Sequence, residues 1–187
     1  MTNTDAHATF AAVEPFLERA EGESRPIVLM TCGSGKTTLA KAVLARYPHF
    51  QRLSIDEIIF ENHGLYGLDY PADKIIHQQY EDEADAIYGE TFRNMLENRR
   101  DIILERSFYA KEDREEFRAL IQKSGAKCVL VYLRATNKEA LWQRVCKRNA
   151  GERDANCALD IDRRLFESYW DGFEEPLEEG ATITTIT

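Results

Sequence analysis

The chain has 187 residues, 43% of them apolar and 30% charged, which suits one compact domain, at most with a small lid, and excludes a disordered tail or a multidomain assembly. No stretch approaches the ~20 uncharged apolar residues that span a bilayer, and Met1 to Phe10 lacks both the basic start and the apolar core of a signal peptide, so a soluble, cytoplasmic protein is expected. With 33 acidic against 24 basic side chains the formal net charge is -9, a surface that repels an extended phosphate backbone and makes nucleic acid a disfavoured partner.

In chain order, Ala8 to Arg19 carries apolar residues at helical spacing and ends in the polar turn Glu21-Gly22-Glu23-Ser24. Residues 1–24 thus form an N-terminal helix and turn on a single domain covering 1–187. Pro26 to Met30 is a short, continuously apolar run of the buried-strand type. Lys36 to Arg46 places Leu39, Ala42 and Val43 on one helical face and is closed by Pro48, and Gln51 to Ile55 is a second strand. From Ala72 to Arg99, apolar residues from Ile76 to Leu96 recur at steps of three or four, which predicts one long amphipathic helix of about 40 Å. This helix either contributes to a ligand site or simply covers the sheet, and covering is the plainer reading. Asp101 to Glu105 reads as a third strand, Glu112 to Lys123 as a helix stopped by Ser124-Gly125, and Lys127 to Leu133 as a fourth strand. Asn137 to Asn149 is helical with Asn137 as N-cap, Arg163 and Arg164 open another helix, and Ala181 to Ile186 adds an edge strand. Strands separated by helical crossovers run parallel with helices on both faces, so the expected fold is a three-layer α/β/α sandwich.

Between the first strand and the next helix stands Cys32-Gly33-Ser34-Gly35-Lys36-Thr37-Thr38. A glycine-rich turn there lets backbone N–H groups converge on phosphate oxygens, and the helix N-terminus adds partial positive charge. Lys36 supplies an ammonium and Thr37 a hydroxyl able to ligate Mg2+, so residues 33 to 38 form a phosphate cradle. The position five before Gly35, where such loops carry glycine, is Met30. Either Met30 substitutes for that glycine with the strand ending at Leu29, or the loop is shortened and the cradle defective.

Asp56 follows the second strand at the carboxyl edge of the sheet, where ligands bind in such folds. It is read as the base for an acceptor hydroxyl, with a helix N-cap as the alternative. His63, Tyr66 and Asp69 in the loop beyond are weaker candidates for lining an acceptor pocket. Glu105 ends the third strand where an acidic group holds Mg2+ or its waters. Arg106 beside it fits a ligand contact or a structural ion pair. Arg144 and Arg148 share a helix face and lead into the polar segment 149–160, which together read as a lid whose guanidinium groups offset phosphoryl charge, or as a solvated basic face. The four cysteines form no CxxC pair and no metal-type spacing. Cys128 and Cys146 are expected in the core.

This order of motifs resembles the AAA_33 group of small P-loop kinases, similar to zeta toxins and polynucleotide kinases, within the wider nucleoside-kinase superfamily. The resemblance is carried by Gly33 to Ala40, Ser54-Ile55-Asp56-Glu57, Ile102 to Glu105 with Arg114 after it, Val129 to Leu133, Arg144 with Arg148, and Phe173-Glu174-Glu175-Pro176. It implies a core of parallel strands, ATP with Mg2+ as donor, and transfer of the terminal phosphate to a hydroxyl. By position it assigns Lys36 and Thr37 to phosphate and metal, Asp56 to the acceptor hydroxyl and Arg144 and Arg148 to the lid. Met30 stands where the family has glycine and Glu105 where it more often has aspartate. The net charge favours a small-molecule acceptor over a polynucleotide 5′-hydroxyl. A nucleotide-binding or regulatory protein without phosphotransfer is the alternative that Met30 motivates.

Overall fold

The computed structural model describes residues 3–31, 35–151, 154–156 and 161–186. Cys32, Gly33, Ser34, Arg153, Cys157 and half of the expected lid segment 149–160 lie outside the described residues. Strands β1 (Pro26–Thr31), β2 (Gln51–Ser54), β3 (Ile102–Glu105), β4 (Lys127–Ala135) and β5 (Thr182–Ile186) form one parallel sheet in the order β2-β3-β1-β4-β5. Helices α1 (Asn3–Val13), α2 (Lys36–Arg46), α3 (Ile55–His63), α4 (Lys74–Glu97), α5 (Lys111–Lys123), α6 (Lys138–Asn149) and α7 (Arg163–Gly172) occupy the intervals.

Side-chain alternation along the strands sends successive residues to opposite faces. Ile27, Leu29, Ile102 and Leu104 meet Tyr88, Phe92 and Leu96 of α4 and Phe117 and Ile121 of α5. Val28, Met30, Ile103, Val129 and Val131 meet Leu39, Ala40 and Val43 of α2, with Val13 and Leu17. Both faces of the central strand are therefore dry, which explains its unbroken apolar sequence, and the three-layer sandwich holds.

Several boundaries differ for identifiable reasons. The first helix lies earlier than its apolar spacing suggests, because Pro15 turns the chain into a 3-10 segment at Glu14–Phe16. β2 stops at Ser54, whose hydroxyl accepts from the Glu57 N–H at 3.4 Å and caps α3; Asp56 is thus not the cap. β4 continues to Ala135 because β5 pairs with its end. Asn137 does cap α6, accepting from the Ala140 N–H at 3.0 Å. Cys128 is half-buried and packs against the α4 and α5 face, whereas Cys146 faces solvent because α6 turns Val145 inward.

The largest fully buried side chain is charged. Arg114 of α5 sits in an ion pair with Glu179, with Nη2 to Oε1 at 2.6 Å and Nε to Oε2 at 3.0 Å. Its Nη1 donates to the Phe108 carbonyl at 2.9 Å and the Tyr109 carbonyl at 3.3 Å. The Thr31 hydroxyl is shared between the Ser107 and Phe108 carbonyls, each at 2.9 Å. The loop after β3 is thereby fixed from below, with Phe108 held at φ 42. Hydrogen bonds from Arg114 hold the Glu179 carboxyl below its ordinary range.

Replacing Glu179 with alanine leaves Arg114 buried without a counter-charge. We expect a loss of about 3–5 kcal/mol in denaturant unfolding at neutral pH. The pair's contribution is present above ~4.3, the unfolded glutamate value, and is lost as pH falls through the depressed folded value. A loss below about 1 kcal/mol would show that the loop is held by other contacts.

Candidate active site

The carboxyl ends of β1, β2 and β3 meet the N-termini of α2 and α3 at one edge of the sheet. Gly35 opens α2 at φ 116, a left-handed conformation that a side chain resists. Lys36 and Thr37 follow in the first turn. The Thr37 hydroxyl makes a short hydrogen bond to Glu105 Oε1, and Glu105 Oε2 accepts from Arg52 Nε at 2.6 Å. Glu105 is only 5% exposed, so both oxygens are satisfied by protein. The serine- or threonine-type hydroxyl and the carboxylate are the hard oxygen donors that a small divalent cation takes.

A cavity of about 450 Å3 opens over this edge. Lys36, Asp56, Glu105, Arg148 and Asn156 border it, and so do Gln78, Glu81 and Asp85 of α4 and Tyr109, Tyr169 and Trp170. Asp56 opens onto the cavity from the first turn of α3, yet protein flanks it closely enough to matter. Burial pushes its carboxyl above the ordinary range; Lys36 pulls it down, Glu105 raises it further, and Arg148 and Arg52 pull it down again. A carboxylate poised upward beside an ammonium suits proton abstraction from a bound hydroxyl.

The structure thus brings Lys36, Asp56, Glu105 and Arg148 to one cavity, with Thr37 bonded to Glu105. Arg144, one turn before Arg148, is half-buried and does not border the cavity, and Thr38 is exposed on the first turn of α2. Met30 is fully buried in β1, opposite Glu105 in register, so the strand does not end at Leu29. Thr31 continues it, paired with Tyr132, and only residues 32–35 separate strand from helix. Arg106 is an ion-pair residue, with both nitrogens on Asp85 at 2.9 and 3.2 Å.

The loop after α3 does not line the cavity. His63 stacks on Tyr80 at 3.5 Å between ring centroids and pairs with Glu83 at 3.3 Å. Asp69 accepts from the Leu65 N–H at 2.8 Å, and Tyr66 lies edge-on to His77. These groups are spent on closing the turn between α3 and α4. Helix α4 instead does both things expected of it in alternative. Ala84, Tyr88, Phe92 and Leu96 cover the sheet while Gln78, Glu81 and Asp85 face the cavity.

Arg52 is the residue that sequence reading missed. Besides Glu105 it donates to Asn156 Oδ1 at 2.7 Å and Glu57 Oε2 at 3.3 Å. Its only sequence signal is a cation alternating with Ser54 on the face that Glu105 shares across the β2–β3 pairing. The aromatic contribution was missed too. It depends on Gly172 at the end of α7, where an added methyl would lie 2.0 Å from the Tyr109 hydroxyl.

A parallel sheet whose central strand leads through Gly35-Lys36-Thr37 into a helix, beside a strand ending in Glu105, defines a P-loop kinase-like fold. The family AAA_33, described as an AAA domain, matches residues 28–176, and the chain belongs to it. No curated protein matches. Among solved structures, a candidate kinase from Chloroflexus aurantiacus is similar with a TM-score of 0.64 and 21% identity, over 88% of this chain and 86% of that one. Kti12 from Chaetomium thermophilum, in complex with ADP-AlF3, gives 0.59 and 16%, over 87% and 88%. A gluconokinase from Sinorhizobium meliloti gives 0.53 and 17%, over 90% and 83%. At these identities the likeness concerns the fold. Among the described residues no helix is long and apolar enough to cross a membrane.

Because the folded protein raises the Asp56 pKa, its ionisation opposes folding. In the ligand-free protein, Asp56→Asn is expected to raise the melting temperature at neutral pH. The gain should be absent below ~3.9, where folded and unfolded states are both protonated, and grow as pH rises through the window up to the raised folded value. Thermal melts of both proteins from acid to neutral pH read this; a gain independent of pH would mean that Asp56 ionisation is not its source.

Proposed function

We propose that this protein is an ATP-dependent phosphotransferase that moves the terminal phosphate of Mg-ATP to a hydroxyl of a small-molecule acceptor. The observation that carries the reading is the meeting of Lys36, Asp56, Glu105 and Arg148 around one cavity at the sheet edge. Lys36 and the amide groups at the start of α2 bind the donor's phosphates, and Gly35 permits the close backbone approach. Thr37 and Glu105 would hold Mg2+, whose oxygen-preferring chemistry suits them and which supplies charge neutralisation on the phosphates when bound. Asp56 orients the acceptor hydroxyl and takes its proton as the new O–P bond forms and the bond to departing ADP breaks. Arg148, with Arg144 one turn away, offsets charge on the transferring group.

A second reading, nucleotide binding without transfer, draws on the continuation of β1 through Thr31, which leaves few residues to supply amide groups to a phosphate. A polynucleotide acceptor has less in its favour. It would draw on Arg153, Arg163 and Arg164 for backbone contacts, and of these Arg163 is already engaged by Glu139 at 3.0 Å and Glu167 at 2.6 Å.

Calorimetric titration with Mg-ATP separates the first two. Under the phosphotransferase reading, binding is micromolar and Lys36→Ala weakens it by about 10- to 150-fold, the equivalent of about 1.5–3 kcal/mol from a charge-assisted bond. No binding by the unaltered protein would transfer the lead to the second reading. Asp56→Asn should bind Mg-ATP as the parent does but transfer no labelled phosphate to an acceptor. In the parent, transfer should require ionised Asp56, so kcat/KM falls as pH drops through the raised pKa. Undiminished turnover by Asp56→Asn would remove Asp56 from the mechanism.

A further inference from the structure

Gln78, Glu81 and Asp85 recur at steps of three and four along α4 and so form one ladder, about 10 Å long at 1.5 Å per residue. All three border the cavity, and phosphate transfer has no use for them. Asp85 is neutralised by Arg106. The Glu81 carboxylate lies 3.5 Å from His77 Nε2, too far for a good hydrogen bond.

His77 is a second, independent pointer to a ligand. It borders the cavity and is only 9% exposed, its Nδ1 is engaged by the Tyr70 hydroxyl at 2.8 Å, and its Nε2 has no hydrogen-bond partner among the described residues. In the tautomer in which the Tyr70 hydroxyl donates to Nδ1, the proton on Nε2 lies beside Glu81 without a good acceptor. Tyr109, Tyr169 and Trp170 add aromatic surface to the same cavity. Acidic side chains outnumber basic ones around it, with Asp56, Glu81, Asp85 and Glu105 against Lys36, Arg106 and Arg148. The Tyr169 phenol is pushed up by burial and then by Glu81 and Asp56, and Asp85 is pushed up by burial despite Arg106.

Once Lys36 and Arg148 are assigned to the donor's phosphates and Glu105 to Arg52 and the cation, what faces the acceptor is Asp56, Glu81 and Asp85 against Arg106. That excess of negative charge repels sugar phosphates, nucleotides and uronic acids. It suits a ligand that is rich in hydroxyl donors and positively charged, with a saturated ring whose C–H face packs on aromatic side chains.

Resting on the phosphotransferase reading, we infer that the acceptor is an amine-bearing polyhydroxylated ring, an amino sugar or aminocyclitol, whose ammonium is held by Glu81 and Gln78. Its ring lies against the aromatic side chains.

The test is calorimetric binding to the nucleotide-free protein, with tryptophan fluorescence in a Trp142→Phe background, which leaves Trp170 alone, as a second readout. The probes are 2-deoxystreptamine, myo-inositol and glucuronate, which are similar in size and cationic, neutral and anionic in turn. The aminocyclitol is expected to bind at least about tenfold more tightly than the neutral cyclitol, the equivalent of about 1.4 kcal/mol, and the uronate most weakly. Glu81→Gln, which keeps the shape of the side chain, should bring the aminocyclitol to the level of the cyclitol; an unchanged melting temperature establishes that the variant is folded. Equal binding of amine and cyclitol, tightest binding of the uronate, an unchanged preference in Glu81→Gln, or no aminocyclitol binding at millimolar concentration each overturns the inference. Since no nucleotide is present, such a result leaves the donor site standing, and a failed Mg-ATP titration reads separately.

Discussion

A carboxylate buried at the end of a central strand costs several kcal/mol unless its charge is met, and the way Glu105 is met organises the whole edge of the sheet. Thr37 comes from the first turn of α2, Arg52 from the outermost strand, and Arg52 reaches on to Glu57 of α3 and to Asn156 beyond α6. Three stretches of chain that are distant in sequence are thus tied, directly or through Arg52, to one pair of oxygens. Removing Thr37 or Arg52 leaves the buried charge unmet, and the further bonds of Arg52 join the edge into one network.

The fold was legible because a parallel sheet covered on both faces writes itself as unbroken apolar runs. Ile27 to Met30, Ile102 to Leu104 and Val129 to Leu133 all read this way, and each is followed by a helical period. Boundaries were less legible where two small polar residues competed for one role. Ser54 and Asp56 both suit an N-cap, and Ser54 takes it because β2 ends one residue earlier than its apolar content suggests. That outcome leaves Asp56 without a capping duty, opening onto the cavity.

The groups of the candidate site divide in the same manner. Lys36, Thr37 and Asp56 lie shortly after a strand and Glu105 ends one, so local sequence announces them. Arg52 acquires meaning only through the lateral pairing of β2 with β3, and Gln78, Glu81 and Asp85 look like any solvated helix face until the rest of the chain folds over them. The readings of His63, Tyr66 and Asp69 failed for the converse reason. Their loop stands near the edge in sequence, but its polar groups are consumed in stacking and capping contacts of their own.

The Arg114–Glu179 pair has a bearing on how the molecule is made. A ribosome delivers the chain from the N-terminus, so β1, β3 and the loop carrying Phe108 and Tyr109 all emerge well before Glu179 does. Until that carboxylate arrives, burying Arg114 would strand a charge away from water, and the loop it supports has no reason to settle into its left-handed turn at Phe108. The cavity wall contributed by Tyr109 is therefore completed late, together with the docking of α7 and the pairing of β5 on β4. A nascent chain holding Lys36, Thr37, Asp56 and Glu105 still has an unfinished cavity, and the order of synthesis becomes the order in which its walls mature.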